Sequence, residues 1–225
     1  MLKPFLTPLI VASVTMVAAC QPAGTHTEQA AETQAVVSDS KKVSPAKPDA
    51  LISNDELIAH GEKAKAAASQ LGEAMKAELI AAIEAEGHVG AIRVCSEVAP
   101  QLAADISAET GYNVSRTSLQ TRNPANMPDW WDEESFDRFQ TSNRNGFPFH
   151  EIERFQAIEA ENGDVVFRYM KPIVMGDVCA ACHGEEISED VQAALDELYP
   201  EDQATGYAPG DLRGGFKVTK VLREK

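Results

Sequence analysis

Two thiols three residues apart with an imidazole directly behind them, Cys179, Cys182 and His183, have the spacing that most sharply implies a chemistry in this chain. In C-x-x-C-H the two cysteines add across the vinyl groups of a haem, and the adjacent histidine is placed against the iron as its proximal ligand. A redox dithiol would want the pair at a helix N-terminus within a βαβ pattern, which the surrounding sequence does not supply. A zinc site would want a second Cys or His pair at compatible spacing, and none is present. The expected cofactor is therefore one covalently attached haem c.

A haem iron has a second face, and the residues able to fill it are Met75, Met127, Met170, Met175, His60, His88, His150 and Cys95. Met170 and Met175 lie too near the attachment motif in sequence to reach the opposite face readily, and Met75 has the helical spacing of a core residue. His88 and His150 fit capping or surface positions as well as ligation. Cys95 differs in kind. Of the four cysteines, Cys20 has a separate role (below), so Cys95 is the thiol left over beside the Cys179–Cys182 pair. An unpaired thiol in an exported protein invites mispairing unless it is buried or bound. The residues alone leave two readings open: a buried cysteine acting as a small hydrophobe, or a thiolate on the iron that pulls the reduction potential down. Arg116 and Arg122 are candidate partners for the haem propionates, because guanidinium pairs well with carboxylate. Equally, Arg116 could be a strand-face charge and Arg122 a pin for its own loop.

These residues must be positioned by the surrounding elements. Ser53 and Glu56 stand at capping-box spacing, and apolar residues from Leu57 through Leu71, Met75, Leu79 and Ile83 step by three and four, so a long helix is expected up to Gly87. A second helix follows "GHVG", its inward stripe of Ile92, Cys95, Leu102 and Ile106 ending at "ETG". "YNVSRTSL" alternates as a strand. "QTRNPANMPDWWDEE" reads as a loop, with Asn123, Pro124, Trp130 and Trp131 shaping it or walling the haem pocket, before a short helix near residues 135–140. "EIERFQAIEA" and "DVVFRYMKPI" form a hairpin around Asn162-Gly163, "SEDVQAALDELYP" a capped helix, and "GGFKVTKVL" a last strand. The turn-rich "YPEDQATGYAPGDLRGG" is expected to wrap the haem edge; its acidic residues lack calcium-loop spacing. There is no internal repeat. Long N-terminal helices packed on an antiparallel sheet of about four strands make an α+β domain, whose strand order the sequence does not give.

The N-terminus has the pattern of an export signal: Lys3, an apolar run from Phe5 to Ala19, then "VAAC". The ending resembles a lipobox, so residues 1–19 are expected to be a lipoprotein signal peptide and Cys20 to carry lipid that anchors the protein to a membrane. Gln21, rather than Asp, favours the outer over the inner membrane. Residues 20–50, with His26, are rich in Ala, Thr, Ser, Pro and Gln and should form a flexible tether. The folded domain is expected over 51–225. A net charge of −15 excludes nucleic acid as a partner.

The segments "AIRVCSEVAPQLA", "RTSLQTRNPANMPDWW", "CAACHG" and "YPEDQATGYAPGDLRGG" together resemble a family of exported bacterial c-type haem domains with a PAS-like fold. The resemblance runs from about residue 55 to the end. It implies covalent haem on Cys179 and Cys182 with His183 and Cys95 as the two axial ligands. Six-coordinate iron suits a periplasmic monohaem cytochrome that passes single electrons to an unidentified redox partner protein. It argues against an enzyme, which needs an open iron face and a distal acid-base group such as His150. The alternative is a haem-based redox or gas sensor. With no output module expected after the last strand, its signal would pass to a separate partner. The oligomeric state is not legible.

Overall fold

The computed structural model describes residues 51–225. The expected leader, Cys20 and the tether lie outside the described residues. Helix α1 (Asn54–Arg93) opens on the capping box, with the Ser53 hydroxyl accepting from the Glu56 N–H and the Glu56 carboxylate accepting from the Ser53 N–H. It is interrupted at Gly87, whose φ of 73° and ψ of −176° belong to a region open essentially to glycine alone. The interruption is a reversal. Gln70 reaches Glu109 at 3.1 Å and Leu71 shares a cluster with Ile106, which a continuous rod would hold more than 50 Å apart at about 1.5 Å per residue. A π-helical turn (Val94–Val98) follows, then α2 (Ala99–Thr110), which ends at Gly111 in the left-handed conformation. The two expected helices are thus present, folded back on each other, with a π-turn that the apolar stripe did not announce.

The remainder supplies β1 (Asn113–Thr117), α3 (Trp130–Arg144), β2 (Arg154–Glu159), β3 (Val165–Val174), a short α4 (Ala180–His183), α5 (Glu189–Leu198) and β4 (Leu212–Arg223). The four strands pair antiparallel in the order β1-β4-β3-β2, and Gly163 takes a positive φ in the β2–β3 turn. Helix α3 starts well before the expected 135–140. Asp129 caps it, accepting from the N–H groups of Trp131 and Asp132, so "WWDEE" is helix and not loop. Among the described residues, no helix is long and apolar enough to cross a membrane.

Strand β3 is covered on both sides, which is why its middle, from Phe167 to Met170, is buried without a break. Phe167 and Tyr169 face α1 and α2, packing with Ala64, Ala67, Ala68, Leu71, Ile106, Val114 and Val218. Met170 faces the other way, into a cluster with Trp131, Phe136 and Phe139 of α3. Small residues on α1 let the helix lie close to the sheet: a Cβ at Gly72 would come within 2.9 Å of the Phe216 ring, and one at Gly61 within 3.2 Å of Phe155.

Candidate functional site

Beyond Leu71 the first limb of α1 continues past the packed core, and after Gly87 the second limb returns alongside it. Between these limbs and the β1–β4–β3 end of the sheet lies a cavity of about 330 Å³, lined among others by Met75, Leu79, Ile83, Ile92, Ile173 and Phe216. The size falls within the range of ligand pockets, roughly 300–1,000 Å³, and the walls are chiefly apolar. Cys95, Cys179, Cys182, His183, Arg116 and Arg122 all line it. The helical hairpin therefore brings a thiol to the same cavity as the C-x-x-C-H motif.

The motif follows β3 through a tight turn, with the Cys179 N–H donating to the Gly176 carbonyl at 3.0 Å. It then forms one helical turn closed by the Gly184 N–H on the Ala180 carbonyl at 2.8 Å. Gly184 is required by proximity: a Cβ there would lie 2.5 Å from the Ala180 oxygen. The loop after α5 clamps the motif through Tyr207 N–H to the His183 carbonyl, 3.0 Å, and Gly206 N–H to the Gly184 carbonyl, 2.9 Å. All three thiols are free of disulfides. Burial pushes the Cys182 thiol up, with Arg122 opposing and Cys95 and Cys179 adding to the rise.

His183 lies 2.7 Å from the Ala204 carbonyl through Nδ1. A carbonyl only accepts, so Nδ1 carries the proton and Nε2 is left with its lone pair. The guanidinium of Arg213, 3.4 Å from the same Nδ1, is then a charge contact and not a hydrogen bond. Burial, with Arg213 and Arg122 adding to it, brings the imidazole down to about 3. The ring is neutral at pH 7, the form that ligates a metal.

The two arginines are placed differently. Arg122 is buried, and its donors go to Asp202 and to the carbonyls of Cys182 and Ala204. Arg116 is half-buried at the cavity wall and makes no hydrogen bond or ion pair among the described residues. Burial pulls its guanidinium below the ordinary value, while the nearby Cys95 and Tyr199 act in the opposite sense. Of the other candidates for the second iron face, Met75, Met175 and His88 line the cavity. Met170 packs behind the sheet, His60 bonds Tyr112 at the other end of the domain, and His150 and Met127 are exposed. Trp131 is fully buried on the α3 side and Trp130 is exposed, so neither tryptophan walls the cavity. Among the residues sequence reasoning missed are Arg213 and Asp202; both stand in the turn-rich segment singled out beforehand, but nothing in their spacing marks them.

The donor set suits a macrocycle better than a bare ion. Among the described residues no group of three or more His, Cys, Asp or Glu side chains converges on one point, yet three thiols and an imidazole are distributed around one apolar space. A cavity-facing guanidinium with no protein partner matches the acidic edge such a group carries.

None of the curated proteins compared matches the chain. Among solved structures it resembles the cyanobacterial heme-protein Tll0287, at 23% identity and a TM-score of 0.57, over 77% of this chain and 99% of that one. The likeness is one of fold, the α+β arrangement of helices on a four-stranded antiparallel sheet. Residues 15–220 match the model of the Tll0287-like family, and the chain belongs to that family.

Proposed function

We propose that the protein is a monohaem c-type cytochrome that transfers single electrons at a membrane surface. The observation that carries this reading is that Cys179, Cys182 and His183 line one apolar cavity together with Cys95 of the helical hairpin. Cys179 and Cys182 would hold the haem as thioethers, His183 would ligate through Nε2, and Cys95 would take the second axial position, with Arg116 at the propionates. The haem supplies a one-electron couple when bound. The chain's own residues keep the imidazole neutral and oriented, exclude water behind apolar walls, and place a thiol where it competes with any external ligand. That the structural neighbour Tll0287 is a heme-protein supports the cofactor. By the same reading the lipobox places the protein in the periplasm on a lipid anchor at Cys20, and a separate protein exchanges electrons with it.

The experiment is optical and electron paramagnetic spectroscopy of the purified mature protein in both redox states, beside Cys95→Ser. A thiolate-type ferric spectrum that is lost in the variant is the expected result; an unchanged spectrum overturns the ligand. One observation favours a sensor instead: Cys95 rides on a π-helical turn, an insertion that an α-helical register can absorb. Carbon monoxide decides between them. Binding to the reduced protein with loss of Cys95 ligation supports sensing, and failure to bind supports electron transfer.

A further inference from the structure

One buried ion pair is hydrogen-bonded both to the motif and to the peptide that holds its histidine. Arg122 lies on the loop after β1 and Asp202 on the loop after α5, 80 residues apart in sequence, and their side chains are only 8% and 9% exposed. The guanidinium Nη2 is 2.9 Å from the Asp202 carboxylate, and Nε donates to the same oxygen at 3.0 Å. Such a pair contributes little net stability on its own, because desolvation offsets most of the attraction. Its remaining bonds are specific. Arg122 Nη2 donates to the Cys182 carbonyl at 2.6 Å and to the Ala204 carbonyl at 3.4 Å. Asp202 accepts from the Ala204 N–H at 2.8 Å. The Ala204 carbonyl is the acceptor for His183 Nδ1–H at 2.7 Å.

We propose that Arg122 and Asp202 form a positioning pair for His183: they fix the Ala204 peptide that holds the imidazole tautomer, and so set how strongly His183 donates to iron. This rests on the haem reading above. The two members act in opposite senses. A guanidinium near the carbonyl that accepts from Nδ1–H draws electron density away from the imidazole and favours the less positive ferrous state. The carboxylate returns density and favours ferric. A pair acting only on stability would have no reason to move the couple in opposite directions.

The test uses the mature holoprotein as wild type, Arg122→Gln, Arg122→Lys and Asp202→Asn. Each is checked by intact mass for covalent haem, by mediator titration of the ferric–ferrous couple, and by paramagnetic NMR of the His183 ring. At a fixed ambient potential Arg122→Gln is expected to move the ferric-to-ferrous ratio about tenfold toward ferric and Asp202→Asn about tenfold toward ferrous, each about 59 mV for one electron. Arg122→Lys, keeping the charge, should fall between wild type and Arg122→Gln, and the His183 ring resonances should shift in Arg122→Gln and Asp202→Asn. Potentials that stay put, or move the same way in both variants while thermal stability falls, overturn the proposal. Unmoved ring resonances also overturn it and point to a propionate contact. Should Arg122→Gln fail to fold, the sign of the shift in Asp202→Asn decides. A wild-type protein without covalent haem is seen first in the mass, and brings down the haem reading and this proposal together.

Discussion

The arginines on the two sides of the sheet differ in their partners: behind it each is paired within the protein, and on the cavity side one is not. Behind the sheet, Arg168 of β3 and Lys217 of β4 meet Asp129 and Asp132 at the start of α3. Asp132 is fully buried, accepting from Arg168 at 2.9 Å and from Lys217 at 2.7 Å. Arg168 and Arg154 lie over the Trp131 ring, at 4.8 and 4.4 Å from its centre. Two cations and two anions close the account there, and the capping carboxylates of α3 double as its bolts to the sheet. In front of the sheet, Arg122 is paired with Asp202, but Arg116 lines the cavity with no protein partner among the described residues, beside thiols that no disulfide uses. Charges paired within the protein build a scaffold, while a charge and three thiols left over imply a group that comes from outside.

The contrast breaks most sharply at the motif. Cys179→Ala with Cys182→Ala should abolish covalent haem altogether, an all-or-none mass difference in the intact protein, while the fold persists because neither thiol makes a disulfide in it. Full haem mass in that variant would refute attachment at these residues. On the other face, Asp132→Ala should cost about 3–5 kcal/mol of unfolding free energy, since it strands Arg168 and Lys217 in a dry site with only Asp129 to share. Haem attachment should survive it. Chemical denaturation of the two variants side by side measures whether function and framework divide between the faces in this way.

How far this division was legible follows from the range of the interactions. The capping box at Ser53, the break at Gly87 and the Asn162-Gly163 hairpin are local patterns, and the structure has each of the elements they imply. The class of the fold followed from the order of helices and strands. The ion network did not follow: Asp132 and Lys217 are 85 residues apart, and nothing in the alternation of β3 announces that α3 covers the side on which Arg168 lies. Asp129 and Asp132 do have capping-box spacing, but the prolines and the two tryptophans around them read as loop. The π-turn at Cys95 lacked a signal of its own, because an inserted residue leaves the apolar stripe nearly intact.

A middle-sized effect probes how the cavity is held open. In Gly72→Ala the new methyl would meet the Phe216 ring at 2.9 Å, and Phe216 belongs to both the core and the cavity wall. Over-packing of this kind costs about 1–3 kcal/mol and should also perturb the haem absorption bands, unlike Asp132→Ala, which should leave them unchanged. In the haem-free double-cysteine variant, Arg116→Leu should raise stability by up to about 1 kcal/mol, because it removes a desolvated charge that the protein alone does not pair. A loss in that background would mean that Arg116 has a structural partner after all.

The smallest effect concerns pH and belongs to the back face. Burial alone would raise the Asp129 carboxyl, but hydrogen bonds from Arg168 and Lys217, with their charges, outweigh it and bring the group down to about 2 from an ordinary 3.8. A carboxyl depressed on folding stabilises the protein fully above its unfolded value, and this contribution is lost as pH falls from about 3.8 through about 2. The side chain is 43% exposed, so solvent screening keeps the loss small. Asp129→Asn should therefore flatten the acid end of a plot of urea midpoint against pH, whereas Arg116→Leu should leave that slope as it is. If Arg116→Leu flattens it instead, the charges on the two faces are coupled through the sheet, and the division between a self-sufficient back face and a ligand-directed front face would have to be redrawn.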